Sequence, residues 1–133
     1  MVSFVTGENM KTTRVLIVDD MEQVRRDLRT VLTLSGDIEI VGEAANGLEA
    51  IRLAESLTPD VILMDLEMPI LNGYEATHRI KNHRPSCKVI ALTVHAYESA
   101  RAKALRDGVD NFVVKGAPVE ELVRAIISPI RKE

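Results

Sequence analysis

Cysteine occurs once in this 133-residue chain, aromatic residues make up 3% of it, and no apolar run approaches membrane-spanning length. Each shortage excludes something. A lone Cys87 cannot close an internal disulfide, which points to a reducing compartment, the cytoplasm, and to a buried, inert thiol. So few aromatics leave little for stacking bases, and 17 basic against 20 acidic side chains, a net charge of -3, argue against direct nucleic-acid binding. Residues 1–13, MVSFVTGENMKTT, lack the basic start and apolar stretch of a signal peptide and read as a flexible tail. The remainder has the composition of one globular domain, 46% hydrophobic and 28% charged. A chain of this size buries roughly two-thirds of its unfolded surface.

What is present is a regular alternation. Arg14–Val18, Val61–Met64, Lys88–Leu92 and Asn111–Val114 read as short strands. The continuous apolar runs among them suit strands covered on both faces, as in a parallel sheet. Ile38, Ile40 and Ala44 alternate with Glu39 and Glu43, which fits an edge strand with one wetter side. Between strands the period becomes helical. Val24, Leu28, Val31 and Leu32 mark a first helix from Glu22, closed by Gly36. Leu48, Ile51 and Ala54 mark a second, stopped before Pro59, and Tyr74, Thr77 and Ile80 a third, to about Asn82. Ala96–Arg106 makes a fourth with a thin apolar face, and Val119, Leu122, Val123, Ile126 and Ile127 a fifth. Five strand-then-helix units with short links specify a single α/β domain over residues 14–130, a parallel sheet with helices on both faces.

Ligands of such sheets bind outside the carboxyl ends of the strands. There this chain places Asp19 and Asp20, then Asp65, Thr93 and Lys115, each after a different strand. Taken alone, Asp20 and Asp65 read equally well as turn or cap residues and Lys115 as a solvated charge. Together, crowded carboxylates repel one another unless a cation shares the site. Lys115 supplies one charge, and the balance suits a hard divalent ion such as Mg²⁺ or Mn²⁺, with Asp20 and Asp65 as direct ligands and Asp19 acting through water.

The blocks VLIVDD, VILMDLEMPILNG, VIALT and GVDNFVVK resemble, in order, those of the receiver domain of bacterial two-component response regulators, over about Arg14–Ile127. The resemblance implies the flavodoxin-like strand order 2-1-3-4-5. It implies Asp65 as phosphoacceptor, an acidic pocket of Asp19 and Asp20 for the metal, and the Glu67 backbone carbonyl as a further ligand. Thr93 and Lys115 would hold the phosphoryl oxygens, and Thr93 and Phe112 would form the switch, with Phe112 lacking the hydroxyl that Tyr would carry. The implied function is a phosphorylation-activated signalling switch and not a turnover enzyme. The implied donor is a histidine kinase or phosphotransfer protein docking near the first helix, where Met21 and Gln23 are exposed candidates. Output would pass through the face of helix 4, strand 5 and helix 5, with a homodimer possible on phosphorylation.

One departure stands out. The family usually has Pro after the lysine, in a cis bond; here Gly116 follows Lys115, so no cis bond is expected and the loop geometry is open. Receivers attached to helix-turn-helix output domains often lack that Pro, so a DNA-binding regulator whose output domain is absent from this chain is the alternative reading. A Mg²⁺-dependent phosphohydrolase would also use strand-end acids, but the paired Asp19 and Asp20 and the missing capping insert argue against it. Glu67 and His95, each two residues past a site residue, are placed to tune water access. His78 and His83 lack metal-ligand spacing and read as solvated.

Overall fold

A computed structural model of the chain describes residues 12–95 and 97–129. Its elements follow the expected alternation: β1 (Thr13–Val18), α1 (Glu22–Thr33), β2 (Ile38–Ala44), α2 (Gly47–Leu57), β3 (Val61–Asp65), α3 (Gly73–His83), β4 (Lys88–Thr93), α4 (Glu98–Arg106), β5 (Asn111–Val114) and α5 (Val119–Ile127). The strands are parallel in the order β2-β1-β3-β4-β5. This is the flavodoxin-like order, with β2 at one edge. Every residue of β3 and β4 is buried, as a strand with helices on both faces requires.

The strands' side chains alternate between two cores. Leu16, Ile62, Met64 and Ala91 pack with Ala50 of α2, Ala76 and Ile80 of α3 and Ala104 of α4. Val15, Leu63, Ile90 and Val113 pack against Leu32 of α1 and Leu122 and Ile126 of α5. The helices touch the sheet with fewer of the expected apolar residues than periodicity assigns. Val31, Leu48, Val119 and Ile127 are exposed, while Ala50, Ala76 and Ala125 take inner positions. Small residues win there because they let a helix lie close to the sheet, and the larger ones flank the contact.

Several boundaries differ from the sequence reading. Thr13, expected in the tail, is the first residue of β1 and its N–H donates to Asp37 O at 2.9 Å. Residues 1–11 lie outside the described residues, as does Ala96, expected to open the fourth helix; that helix begins at Glu98 with Tyr97 as its N-cap. Asp65 and Thr93 are the last residues of their strands, one further than periodicity gives. In β2 the register slips between Ile40 and Gly42, where Val41 bulges out of the pairing with β1.

One buried charge is structural. Lys88, at the start of β4, is 5% exposed, and its ammonium donates to Ala125 O at 2.6 Å, Ile126 O at 3.2 Å and Ser128 O. It caps the carboxyl end of α5, offering three donors to carbonyls the helix leaves unpaired. Burial lowers its pKa, offset in part by Asp110.

Candidate functional site

The parallel register brings the acids together. Val18 of β1 lies beside Met64 of β3, so the next residues, Asp19 and Asp65, emerge side by side at the carboxyl rim. Carboxylate oxygens of Asp19, Asp20 and Asp65 lie within 4.8 Å of one another. Asp65 pairs with Leu92 across β3 and β4, which sets Thr93 one residue further along the same rim. Lys115, just past β5, reaches across the sheet: its Nζ lies 2.7 Å from Asp19 Oδ2 and 3.6 Å from Asp65 Oδ1. All five expected side chains therefore lie at one rim, and Lys115 ties the two buried carboxylates together.

The charges do not balance within the protein. Asp19 is 1% and Asp65 6% exposed. Burial and the neighbouring Asp19 charge push the Asp65 carboxyl up to about 6, against the pull of Lys115 and of the Glu67 N–H, which donates to Asp65 Oδ1 at 3.3 Å. Burial disfavours the charged Lys115, yet its hydrogen bond to Asp19 and the charge of Asp65 carry its pKa above the usual value. The donor set is entirely hard carboxylate oxygen, which fits a small divalent cation such as Mg²⁺. Asp19 already accepts from Lys115 and, at 2.9 Å, from the Met21 N–H, whereas Asp20 is exposed. Asp20 and Asp65 are accordingly the freer oxygen donors.

Tight backbone packing holds the β3–α3 loop. The Gly73 N–H donates to Leu66 O at 3.0 Å, and a Cβ on Gly73 would lie 2.1 Å from Asp65 O and 2.9 Å from Leu66 Cα. Gly73 is thus a close-approach residue that sets the height of Asp65. Gly47 does the same from α2: a Cβ there would lie 2.4 Å from Leu71 O, which accepts the Gly47 N–H at 2.8 Å. Asn46 and Asn72 cap α2 and α3 by accepting from Glu49 and Glu75 N–H groups. Between them Ile70, 74% exposed, holds a positive φ of 73° in a three-residue turn closed by the Leu71 N–H on Pro69 O.

At the other side, Gly116 has φ 93°, a conformation that proline's fixed negative φ forbids. The Ala117 N–H donates to Val114 O at 3.1 Å, closing the turn that presents Lys115. Gly here is a geometric requirement and not a loosened Pro. The Thr93 hydroxyl accepts from the His95 N–H at 3.1 Å and is 3% exposed with its residue. His95 Nε2 lies 3.1 Å from Glu67 Oε1, and its ring stacks on Tyr97 with centroids 5.3 Å apart. That contact spans the mouth between β3 and β4, a pairing the sequence offered only as two separate flanking positions. Phe112 stands apart from the carboxylates, in register with Ala91 and half-buried against α4. His78 and His83 are exposed, and Cys87 is buried with its thiol pushed up to about 11 by burial.

A doubly wound sheet in this order, with an acid cluster, a hydroxyl and a lysine meeting at its carboxyl rim, defines a receiver of the two-component kind. The chain belongs to the response regulator receiver domain family, which it matches over residues 15–127. It is 42% identical over 122 residues to the response regulator protein VraR of Staphylococcus aureus, covering 92% of this chain and 58% of that protein. The chain thus spans a little under three-fifths of that curated relative. Among solved structures it resembles the response regulator domain of Thermotoga maritima CheB, at TM-score 0.85 and 34% identity, covering 92% of this chain and 99% of the other. It also resembles a LuxR-family DNA-binding response regulator from Staphylococcus aureus, at TM-score 0.80 and 34% identity, covering 86% and 95%. The domain is a signalling switch of two-component systems. Among the described residues no helix is long and apolar enough to cross a membrane.

Proposed function

We propose that this domain takes a phosphoryl group onto Asp65 from a phosphohistidine donor in the cytoplasm, with Mg²⁺ held by Asp20 and Asp65, through water by Asp19, and by the Glu67 carbonyl. The observation that carries this reading is the convergence of Asp65 with two further carboxylates within 4.8 Å, beside a single lysine. When bound, the ion would neutralise charge on the transferring oxygens. The chain's own residues do the rest. An Asp65 carboxylate oxygen attacks phosphorus in line, a P–O bond forms as the P–N bond to imidazole breaks, and the freed imidazole takes a proton from solvent. Lys115, 3.6 Å from Asp65, pairs with the incoming phosphoryl oxygens. The Thr93 hydroxyl leaves the His95 N–H to donate to them, and Phe112 turns over Ala91 toward the space Thr93 vacates. The moved α4, β5 and α5 surface is then what an output partner or a second copy reads, while a donor protein docks beside α1 at Met21 and Gln23. Turnover of external phosphate esters is not part of this reading.

The test is intact mass after incubation with a small acyl phosphate. One added phosphoryl group is expected, requiring Mg²⁺ and absent in Asp65→Asn; labelling of the Asn variant, or none of the folded natural chain, would overturn the assignment.

The identity to VraR over 58% of its length, and the likeness to a LuxR-family DNA-binding regulator, favour a second level of reading: a receiver that controls a DNA-binding output domain. Adding the corresponding output domain should give phosphorylation-dependent operator binding, and binding indifferent to Asp65 would count against it.

The Glu67–His95 contact closes one approach to Asp65, so these residues set the lifetime of the acyl phosphate. Replacing both with Ala should change the hydrolysis rate of phosphorylated protein about threefold or more, the worth of a partly exposed contact of this kind. An unchanged rate, followed by loss of the added mass, would show that water arrives by another route.

A further inference from the structure

α4 is thinly anchored to the sheet. Of its nine residues only Ala104 is buried, and its contacts with neighbouring elements include two cations laid on aromatic rings. Lys103 Nζ sits 4.5 Å from the Tyr74 ring centroid on α3, and Arg101 Cζ sits 5.6 Å from the Phe112 ring centroid on β5. Both distances fall within the range where a cation is attracted to the ring face. The second contact concerns the moving part. Phe112 carries no hydroxyl, so no hydrogen bond at the ring tip can hold it in either position. Its inward neighbour in register is Ala91, a side chain too small to block rotation, with Thr93 two residues further along the same face. The ring is therefore free to turn inward unless something outside retains it, and the guanidinium of Arg101 lies against its face.

We propose that Arg101 is a positioning residue of this switch: its guanidinium, laid over Phe112, retains the ring in the resting orientation and sets how readily Asp65 is occupied. The proposal rests on the reading of Phe112 as the switch aromatic. Turning the ring inward gives up the Arg101 contact, so every phosphorylation works against it. Removing the contact favours the active arrangement before any phosphoryl group arrives, and a phosphoryl mimic then binds more tightly. A cation over an exposed ring corresponds to an effect of about two- to fivefold.

The sequence supplies a clean probe, because Phe4 and Phe112 are its only phenylalanines. Protein grown with fluorophenylalanine gives two ¹⁹F signals, and Phe4→Leu assigns them. Titration with beryllium fluoride in Mg²⁺, a phosphoryl mimic, is followed at the Phe112 signal. Arg101→Gln is expected to shift that signal toward its bound position in the free protein and to raise affinity about two- to fivefold. Arg101→Lys, which keeps a cation, should return both most of the way. In a Phe112→Leu background, where affinity is read by titration calorimetry, Arg101→Gln should change it no further. A Phe112 signal that ignores the adduct, while Asp65 still labels with acyl phosphate, overturns the aromatic switch and this proposal with it. A signal that moves normally while Arg101→Gln alters neither shift nor affinity overturns the role of Arg101 alone. An effect of Arg101→Gln that persists without the ring also overturns it, since the arginine would then act elsewhere.

Discussion

Asp65→Asn is expected to make the metal-free domain more stable at pH 7.5 by about 3 kcal/mol, the worth of a carboxyl moved from 3.8 to about 6. The sign follows from proton binding. Between pH 4 and 6 the folded protein holds a proton on Asp65 that the unfolded chain has released, so folding is favoured at the lower pH. Stability contributed by this group is therefore lost as pH rises through about 6. Above that, Asp65 is a buried carboxylate beside Asp19 with one lysine between them. Asparagine keeps the shape and can still accept the Glu67 N–H, but carries no charge. Urea unfolding of both proteins from pH 4 to 8 in chelator should show the curves meeting near pH 4, separating between pH 4 and 6, and running parallel above that. Mg²⁺ should then stabilise the natural chain by mass action and leave the variant nearly unmoved. A natural chain more stable than the variant at pH 8 without metal would mean that Lys115 compensates both carboxylates fully.

The opposite result is expected at Gly73. A methyl group there meets main-chain atoms, Asp65 O at 2.1 Å and Leu66 Cα at 2.9 Å, and neither can rotate away. Gly73→Ala should cost about 3 kcal/mol or more, the upper range for overpacking, because the loop and the end of β3 must part. The Gly73 N–H to Leu66 O bond goes with them, so Asp65 shifts relative to Lys115 and phosphorylation slows even in protein that remains folded. Gly116→Ala is the useful contrast. A Cβ there has nothing within 4 Å, so only the positive φ is penalised, at about 1 kcal/mol. Equal losses of stability at the two positions would sink the close-approach account of Gly73.

That contrast also marks what the residues alone could tell. Strand order, the covering of the sheet on both faces and the meeting of Asp19, Asp20, Asp65, Thr93 and Lys115 at one rim were all legible. The last two depend on local apolar runs and on the acids that end them, whereas the strand order was implied only by the family resemblance. Gly73 and Gly116 were not separable by sequence, since close backbone approach and left-handed φ both call for glycine and only the fold says which applies. The helix faces were read too broadly for a related reason. Val31, Leu48, Val119 and Ile127 have the right spacing, but spacing fixes a side of the helix and not how deeply that side sits. Contacts between separate segments, Glu67 with His95 and Arg101 with Phe112, carry no sequence signal beyond the position of each partner.

The clasp formed by Lys88 has a consequence for how this unit is assembled with others. It pins the carbonyls of Ala125, Ile126 and Ser128 beside the first residue of β4, and Thr13 opens β1 at that same end of the sheet. Chain enters and leaves the unit from the side opposite Asp65, roughly one strand length, about 16 to 20 Å, away from it. The attachment points at Thr13 and Ser128 therefore lie away from the acidic mouth. Such a layout suits a portable unit, whose points of attachment sit at the far end of the sheet from its chemistry.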